Sequence, residues 1–328
     1  IPASRDRGNV GEGTTLGYQI PNFTYPDTAP DRLFPTIAAQ AVEAENSGFD
    51  TVLVMDHFYQ LPMLGAPDEP MIECYTLLSA LAQHTSRVRL SALVTGNTYR
   101  NPTLLAKTVT ALDVVSGGRA QLGIGAGWFE FEHESLGFDF GTFTDRFEKL
   151  EEALQIILPM LRDERPSLDG RWYRVHDAMN SPAPLSRIPV MIGGGGEKKT
   201  LRMVAQYADE SNLLAAPADI PRKLDVLAAH CERLGRDRSE ITVTAQTSAC
   251  VAPTEDEARA EFESYVARNP AAEGRRASTV IGSPEQVAAQ YSELLATGID
   301  GVTVNAPANG HIPGRVTLLG QTLSPLIG

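Results

Sequence analysis

The sequence predicts an α/β protein built as a (β/α)8 TIM barrel, with an insertion between its fourth and fifth strands. Three observations carry that expectation. Short β-branched or apolar runs alternate with helical patterns along most of the 328 residues. The alternations number eight, the count that closes a parallel sheet into a barrel with its helices outside. With 42% hydrophobic residues the chain can bury the core such a barrel needs. A doubly wound open sheet is the alternative arrangement of the same elements.

The elements follow in order. Residues 1–13 are polar and glycine-bearing and read as a disordered extension, which leaves 14–328 as a single domain. Leu16–Ile20 is the first strand. Phe34, Ile37, Ala38 and Ala41 then fall at i, i+3, i+4 and i+7, one face of a helix. Asp31 is its N-cap, Pro35 sits in the first turn, and Gly48 is the left-handed stop. Thr51–Met55 is the second strand, Ile72–Gln83 the next helix, and Val88–Thr95 the third strand. Asn101-Pro102 caps and opens a helix with Leu105, Val109 and Leu112 on one face, stopped by Gly117-Gly118. Ala120–Ile124 is the fourth strand and Phe143–Leu161 a long helix.

Asp163–Arg187 breaks the rhythm. It is polar and proline-bearing, with a turn at Asp169-Gly170 between short strands, and reads as an excursion outside the barrel. Val190–Ile192 resumes as the fifth strand, followed by helix Thr200–Ala208, strand Ser211–Leu214 and helix Ile220–Leu234. Ile241–Thr247 is the seventh strand. Thr254 with Glu257, and Ser283 with Gln286, form capping boxes, and Gly301–Asn305 is the eighth strand.

Composition narrows the function. A net charge of -13 repels phosphate backbones and anionic lipid, which argues against nucleic-acid and membrane partners and for a small-molecule substrate. Cys74, Cys231 and Cys250 show no CxxC pairing, and their odd number makes a poor disulfide framework. With no secretory signal pattern and no apolar run of membrane length, a cytoplasmic protein is expected. Metal chemistry is disfavoured, because the six histidines are scattered and His133, between Glu132 and Glu134, lacks HExxH spacing.

In a barrel, chemistry sits where strands end at the C-terminal face. Asp56-His57-Phe58 follows the second strand, and a histidine there can exchange a proton near neutrality. The plainer reading is a histidine bonded to Asp56. Thr95-Gly96-Asn97-Thr98-Tyr99-Arg100 follows the third strand and offers groups for a heterocycle's edge, or is a polar loop. Gly123-Ile124-Gly125-Ala126-Gly127-Trp128 follows the fourth. It is not the dinucleotide fingerprint, and its glycines suit close approach of a flat ring to the backbone. Trp128 either walls the pocket or packs under the loop. Gly193-Gly194-Gly195-Gly196-Glu197-Lys198-Lys199-Thr200 follows the fifth strand and opens a helix. Bare amides at a helix N-terminus beside lysines make a phosphate cradle.

Taken in this order, "GFDTVLVMDHF", "LVTGNTYRNPTLLAKTVTALDVVSGGRAQLGIGAGW" and "PVMIGGGGEKKTLRMVAQYAD" resemble the luciferase-like monooxygenase superfamily, over about Leu16 to Asn305. The closer resemblance is to its branch that uses the deazaflavin coenzyme F420. That resemblance implies that Asp56 and His57 lie at the ring and substrate, and that Thr95 contacts the deazaflavin. It implies a bulge with a non-proline cis peptide near Ala92-Leu93 behind the ring, Ala126 and Gly127 along it, and Gly195, Gly196, Lys198 and Lys199 around the cofactor phosphate.

One position departs from the pattern. Sugar-phosphate and alcohol dehydrogenases of this branch carry a glutamate where this chain has Trp128. The change implies a more apolar substrate pocket, with His57 as the main proton-transfer group. Glu73 either reaches that pocket or serves the helix N-terminus. The implied reaction is hydride transfer between the deazaflavin C5 and a small organic substrate. The rival readings are an FMN-dependent monooxygenase on the same fold, a non-catalytic F420-binding protein, and a phosphosugar isomerase. A homodimer is compatible with the resemblance, although no stripe in the sequence identifies an interface.

Overall fold

The computed structural model describes residues 15–327, so the extension expected over residues 1–13 lies outside it. The first half runs β1 (Thr15–Ile20), α1 (Leu33–Asn46), β2 (Thr51–Val54), α2 (Cys74–Leu81), β3 (Arg89–Ala92), β4 (Thr95–Gly96), α3 (Pro102–Ser116) and β5 (Ala120–Gly125). Two helices follow, α4 (Glu130–Leu136) and α5 (Phe143–Met160), then the hairpin β6 (Leu168–Asp169) and β7 (Arg174–Val175). Next come β8 (Val190–Gly193), α6 (Thr200–Tyr207), β9 (Glu210–Leu213) and α7 (Ile220–Leu234). The chain ends with β10 (Thr242–Val251), α8 (Glu255–Arg268), β11 (Thr279–Gly282), α9 (Pro284–Leu295), β12 (Gly301–Asn305) and α10 (Arg315–Leu323).

Eight parallel strands, β1, β2, β3, β5, β8, β9, β10 and β12, neighbour one another in that order. The ring closes where β12 pairs with β1, with Thr15 opposite Gly301. This is the expected TIM barrel and excludes the open sheet. Period-two alternation sorts the strand residues. Leu16, Tyr18 and Ile20 are buried toward the helices, where the Tyr18 hydroxyl donates to Gln40 of α1 at 2.9 Å. Gly17 and Gln19 face the interior, and a Cβ on Gly17 would meet Leu53 at 2.9 Å. That interior is polar, and most of its side chains are partnered. Asn212 donates to Thr244 and Thr303 at 2.9 and 3.1 Å, and Gln121 donates to Glu210 at 2.7 Å. Satisfied networks of this kind fix a unique arrangement, because an unmade bond in low dielectric is costly.

The caps follow local chemistry. Asn101 accepts from the Thr103 amide at 3.0 Å, with Pro102 at the first helical position and Gly117 left-handed at φ 72°. Ser283 and Gln286 form the expected box. Thr254 accepts from the Glu257 amide at 3.2 Å, but Glu257 does not return the bond, because Arg315 engages its carboxylate. Asp31 is not a cap. Pro30 first opens a 3₁₀ turn, Pro30–Arg32, and α1 begins at Leu33.

Seven barrel strands depart from the expected bounds, β1, β2, β5 and β8 by a single residue at one end. The third is interrupted: β3 ends at Ala92, and Leu93 and Val94 bulge before β4. The seventh, β10, runs on to Val251, because its end pairs with β11, a strand not foreseen from the sequence. The sixth, β9, begins at Glu210 and ends at Leu213, one residue ahead of expectation at each end. The excursion after α5 is an antiparallel hairpin. It is pinned to α5 by Glu152, which accepts from the amides of Arg171, Trp172 and Tyr173 at 2.9, 2.9 and 3.0 Å. No helix among the described residues is long and apolar enough to cross a membrane.

Candidate active site

The loop after β2 carries His57 to the C-terminal end of the barrel. Its Nδ1 lies 3.0 Å from Oε2 of Glu132, a fully buried carboxylate on α4. Glu132 also accepts from the amides of Phe58 and Tyr59, the latter at 2.8 Å, and from the Tyr99 hydroxyl. Burial alone would raise its pKa, but the bonds from His57, Tyr99 and the amides outweigh that and hold it below the ordinary value. An ionised carboxylate only accepts, so Nδ1 of His57 carries the hydrogen and Nε2 is left for other partners. Trp128 and Phe129 each meet the imidazole edge-on at 5.8 Å. Trp128 is 55% exposed, a large apolar surface turned to solvent beside the histidine.

Asp56 sits next to His57 but turns under the loop. Its two oxygens take Arg100 in a bidentate pair at 2.7 and 2.9 Å, and the Gly96 amide donates to it at 3.2 Å. Arg100 also donates to Glu73 at 2.7 Å. Glu73 caps α2, accepting from the Thr76 amide at 2.7 Å. Its carboxylate therefore serves the helix N-terminus and Arg100 together. Thr95 is buried with its hydroxyl 2.6 Å from that of Tyr75. Asp56 and Glu73 thus share Arg100, while Thr95 is held by Tyr75 of α2.

The bulge places an apolar side chain across the mouth. The non-proline cis peptide is Leu93-Val94, one residue beyond the expected Ala92-Leu93. The Leu93 amide still donates to Val54 at 2.8 Å, so the ladder to β2 continues past Ala92 before the chain turns out. A Cβ on Gly125 or on Gly193 would meet Val94 at 2.9 Å. Both glycines are therefore needed for Val94 to stand between the ends of β5 and β8. Gly127 has φ 82° and would set a Cβ 2.6 Å from Thr98. Ala126, beside it, is half-buried.

The glycine loop after β8 ends at the N-terminus of α6, which has no side-chain cap. Among the described residues, the amides of Gly195 and Gly196 have no acceptor. Lys198 is exposed. Lys199 points elsewhere, with its ammonium over the rings of Phe143 and Phe147 at 5.3 and 5.4 Å. Two cations of α7 reach the loop: Lys223 donates to the Gly195 carbonyl at 2.6 Å and lies 3.6 Å from the Glu197 carboxylate, which Arg222 also engages. Leu214, beside the loop, is 72% exposed.

The barrel thus brings His57, Val94, Ala126, Gly127, Trp128 and the glycine loop to one end, and spends Asp56, Thr95, Glu73 and Lys199 on supporting contacts. Sequence reasoning missed Glu132, Val94, Arg100 and Lys223. Glu132 lay in an alternating acidic string that reads as solvated, and Lys223 gave no local signal. Among the described residues no cluster of three or more His, Cys, Asp or Glu side chains is placed to hold a metal ion.

A family model described as luciferase-like monooxygenase matches residues 14–277. The chain is 32% identical over 187 residues to an F420-dependent glucose-6-phosphate dehydrogenase of Kineococcus radiotolerans, covering 57% of this chain and 52% of that protein. It is 28% identical over 231 residues to a 5,10-methylenetetrahydromethanopterin reductase of Archaeoglobus fulgidus, covering 70% and 64%. The match thus spans about half the length of the first of these relatives and under two thirds of the second. The structure of the coenzyme F420 dependent tetrahydromethanopterin reductase from Methanopyrus kandleri shares the fold, with a TM-score of 0.76 at 20% identity over 95% of this chain and 99% of that one.

Proposed function

Because the chain belongs to the luciferase-like monooxygenase family, we propose that it is an F420-dependent oxidoreductase acting on a small organic substrate at the barrel mouth. The observation that carries this reading is the glycine-flanked Val94. Gly125 and Gly193 leave no room for side chains of their own, and Leu93, Val94, Trp128 and Leu214 present apolar surface that is open or half-open. A flat ring system fits such a surface, and an anionic tail fits the glycine loop at the α6 N-terminus beside Lys198 and Lys223. The relatives named above support the deazaflavin over FMN.

When bound, the deazaflavin supplies or accepts a hydride at C5. The chain's own residues do the rest. Val94, Ala126 and Gly127 would hold the ring, and Gly195, Gly196, Lys198 and Lys223 the phosphate. His57 gives or takes the accompanying proton at Nε2, and Glu132 holds it in the tautomer that leaves Nε2 available. The aromatic edges of Trp128 and Phe129 keep water from the imidazole.

The test is a side-by-side titration with coenzyme F420 and FMN, followed by ligand fluorescence. Saturable binding of F420 alone is expected, and preference for FMN with oxygen consumption would replace the proposal with a monooxygenase. His57→Ala should keep F420 affinity and slow turnover. Unchanged turnover would remove His57 from the chemistry.

A further inference from the structure

We propose that Arg275 forms an anion-binding subsite at the barrel mouth, and that the substrate is an organic anion whose carboxylate or phosphate it receives. The proposal rests on the redox reading above and names its substrate class. Arg275 belongs to the 3₁₀ stretch Pro270–Ser278, between α8 and β11. The stretch is fixed in place. Ala272 is buried with Phe262 and Tyr265 of α8, and the Arg275 carbonyl accepts from the hydroxyls of Ser278 and Thr279 at 3.0 and 2.9 Å.

From that anchor the guanidinium enters the mouth and donates to the hydroxyl of Ser248. Ser248 faces inward by the same alternation as Thr244 and Gln246, one step further toward the C-terminal end of β10. Ser248 donates to Asn305 at 2.6 Å, and the amides of Asn305 and Gln246 both donate to Gln19 at 2.8 Å. The result is a wall of neutral amides and a hydroxyl across β10, β12 and β1. Its Gln246 Oε1 is buried without a partner. The wall adjoins β2, whose end carries His57, and the Tyr265 hydroxyl donates to the Leu64 carbonyl in the loop after β2 at 3.1 Å.

Among the described residues Arg275 makes no ion pair, and the nearby Glu263 and Glu273 both bind Arg276 instead. The contrast with the other arginines held against the fold is plain. Arg100 has Asp56 and Glu73, Arg315 has Glu257 and Glu261, and Arg119 has backbone carbonyls. A guanidinium has five N–H donors, and Arg275 spends one of its hydrogen bonds on Ser248. Burial lowers its pKa, with only Tyr265 acting in the opposite sense. Arg275 is half-buried, and a charge partly withdrawn from water favours a counter-ion, so an anion arriving at the mouth supplies what the fold omits. The glycine loop, at the end of β8, is separated from β10 by β9. The cofactor phosphate and the substrate anion thus have different seats.

The test begins with F420 titrated into wild type and Arg275→Gln, where equal affinity is expected. With F420 saturating, inorganic phosphate and succinate are then titrated by calorimetry. Wild type should bind at least one of them saturably at one site, and the anion that binds identifies phosphate or carboxylate as the group recognised. Arg275→Gln should weaken that binding about tenfold or more, and Arg275→Lys should retain most of it. No saturable anion binding in wild type, or equal binding in Arg275→Gln, overturns the subsite while leaving the redox reading intact. A comparable loss of F420 affinity in Arg275→Gln also overturns it, by assigning Arg275 to the cofactor. Absence of F420 binding in wild type defeats the redox reading instead. The same anion titrations on cofactor-free Lys223→Gln protein, with and without Arg275→Gln, then decide the subsite separately.

Discussion

Replacing Glu132 with glutamine removes a charge and keeps the shape. In the native site the carboxylate accepts from His57, Tyr99 and the amides of Phe58 and Tyr59. Glutamine can keep the two amide bonds on its carbonyl oxygen, but its NH2 group then faces Nδ1 of His57. The conflict is relieved if His57 changes tautomer, so that Nδ1 accepts and Nε2 carries the hydrogen. A hydrogen bond to a charged group is worth roughly 1.5–3 kcal/mol, so the preference for the native tautomer should fall by about 10- to 100-fold and turnover with it. Long-range 1H–15N correlation spectra of the imidazole read the tautomer directly, without a known substrate. The expected result is an Nδ1–H tautomer in wild type and an Nε2–H tautomer in Glu132→Gln, with F420 affinity unchanged. An Nε2–H tautomer in the wild-type protein would refute the argument, because Glu132 would then not be setting the ring.

The bulge, the buried ion pair and one surface carboxylate make further predictions. Gly193→Val should displace Val94, weaken F420 binding at least tenfold and cost about 1–3 kcal/mol of stability, measured by fluorescence titration and urea unfolding. Arg100→Ala leaves the buried Asp56 carboxylate without its partner and should cost about 3–5 kcal/mol. A melting temperature within a degree of wild type would show the pair to be dispensable. Glu45 accepts from the amides of Ser86, Arg87 and Val88, which hold its pKa down to about 2 against an ordinary 4.5. Its stabilising contribution is therefore fully present above about pH 4.5 and is lost as pH falls toward about 2. The urea midpoint of Glu45→Gln should accordingly fall less than that of wild type between pH 5 and pH 2.5.

The barrel was legible because its signals are local. Strand runs, Asn101-Pro102, Gly117 and the Ser283 box each act within a few residues, and the structure keeps them apart from the break in the third strand. What escaped depends on distance or on competition. Glu132 meets His57 across 75 positions, and no periodicity links the two. Asp31 lost its role to the turn that Pro30 imposes, and the Thr254 box lost half of its bonds to Arg315. β11 was hidden because Thr279–Gly282 lies between two helices and pairs only with the overhanging end of β10. The family motifs located the mouth, but they did not say which side chains are spent on bracing it. Asp56 faces Arg100 and Gly96 of the loop after β3, and Thr95 faces Tyr75 of α2.

The closure of β12 onto β1 bears on how the site comes into being. Asn305 and Gln19 are joined across 286 positions, so the polar wall of the mouth is assembled from the two extremes of the barrel. Non-local pairing of this kind raises contact order and slows folding. It also orders events during synthesis, because the chain emerges from its N-terminus first. Until Gly301–Asn305 leaves the ribosome, β1 has an open edge and Gln19 lacks Asn305 as a donor. The nascent polypeptide therefore carries an unfinished mouth until its eighth barrel strand has been made.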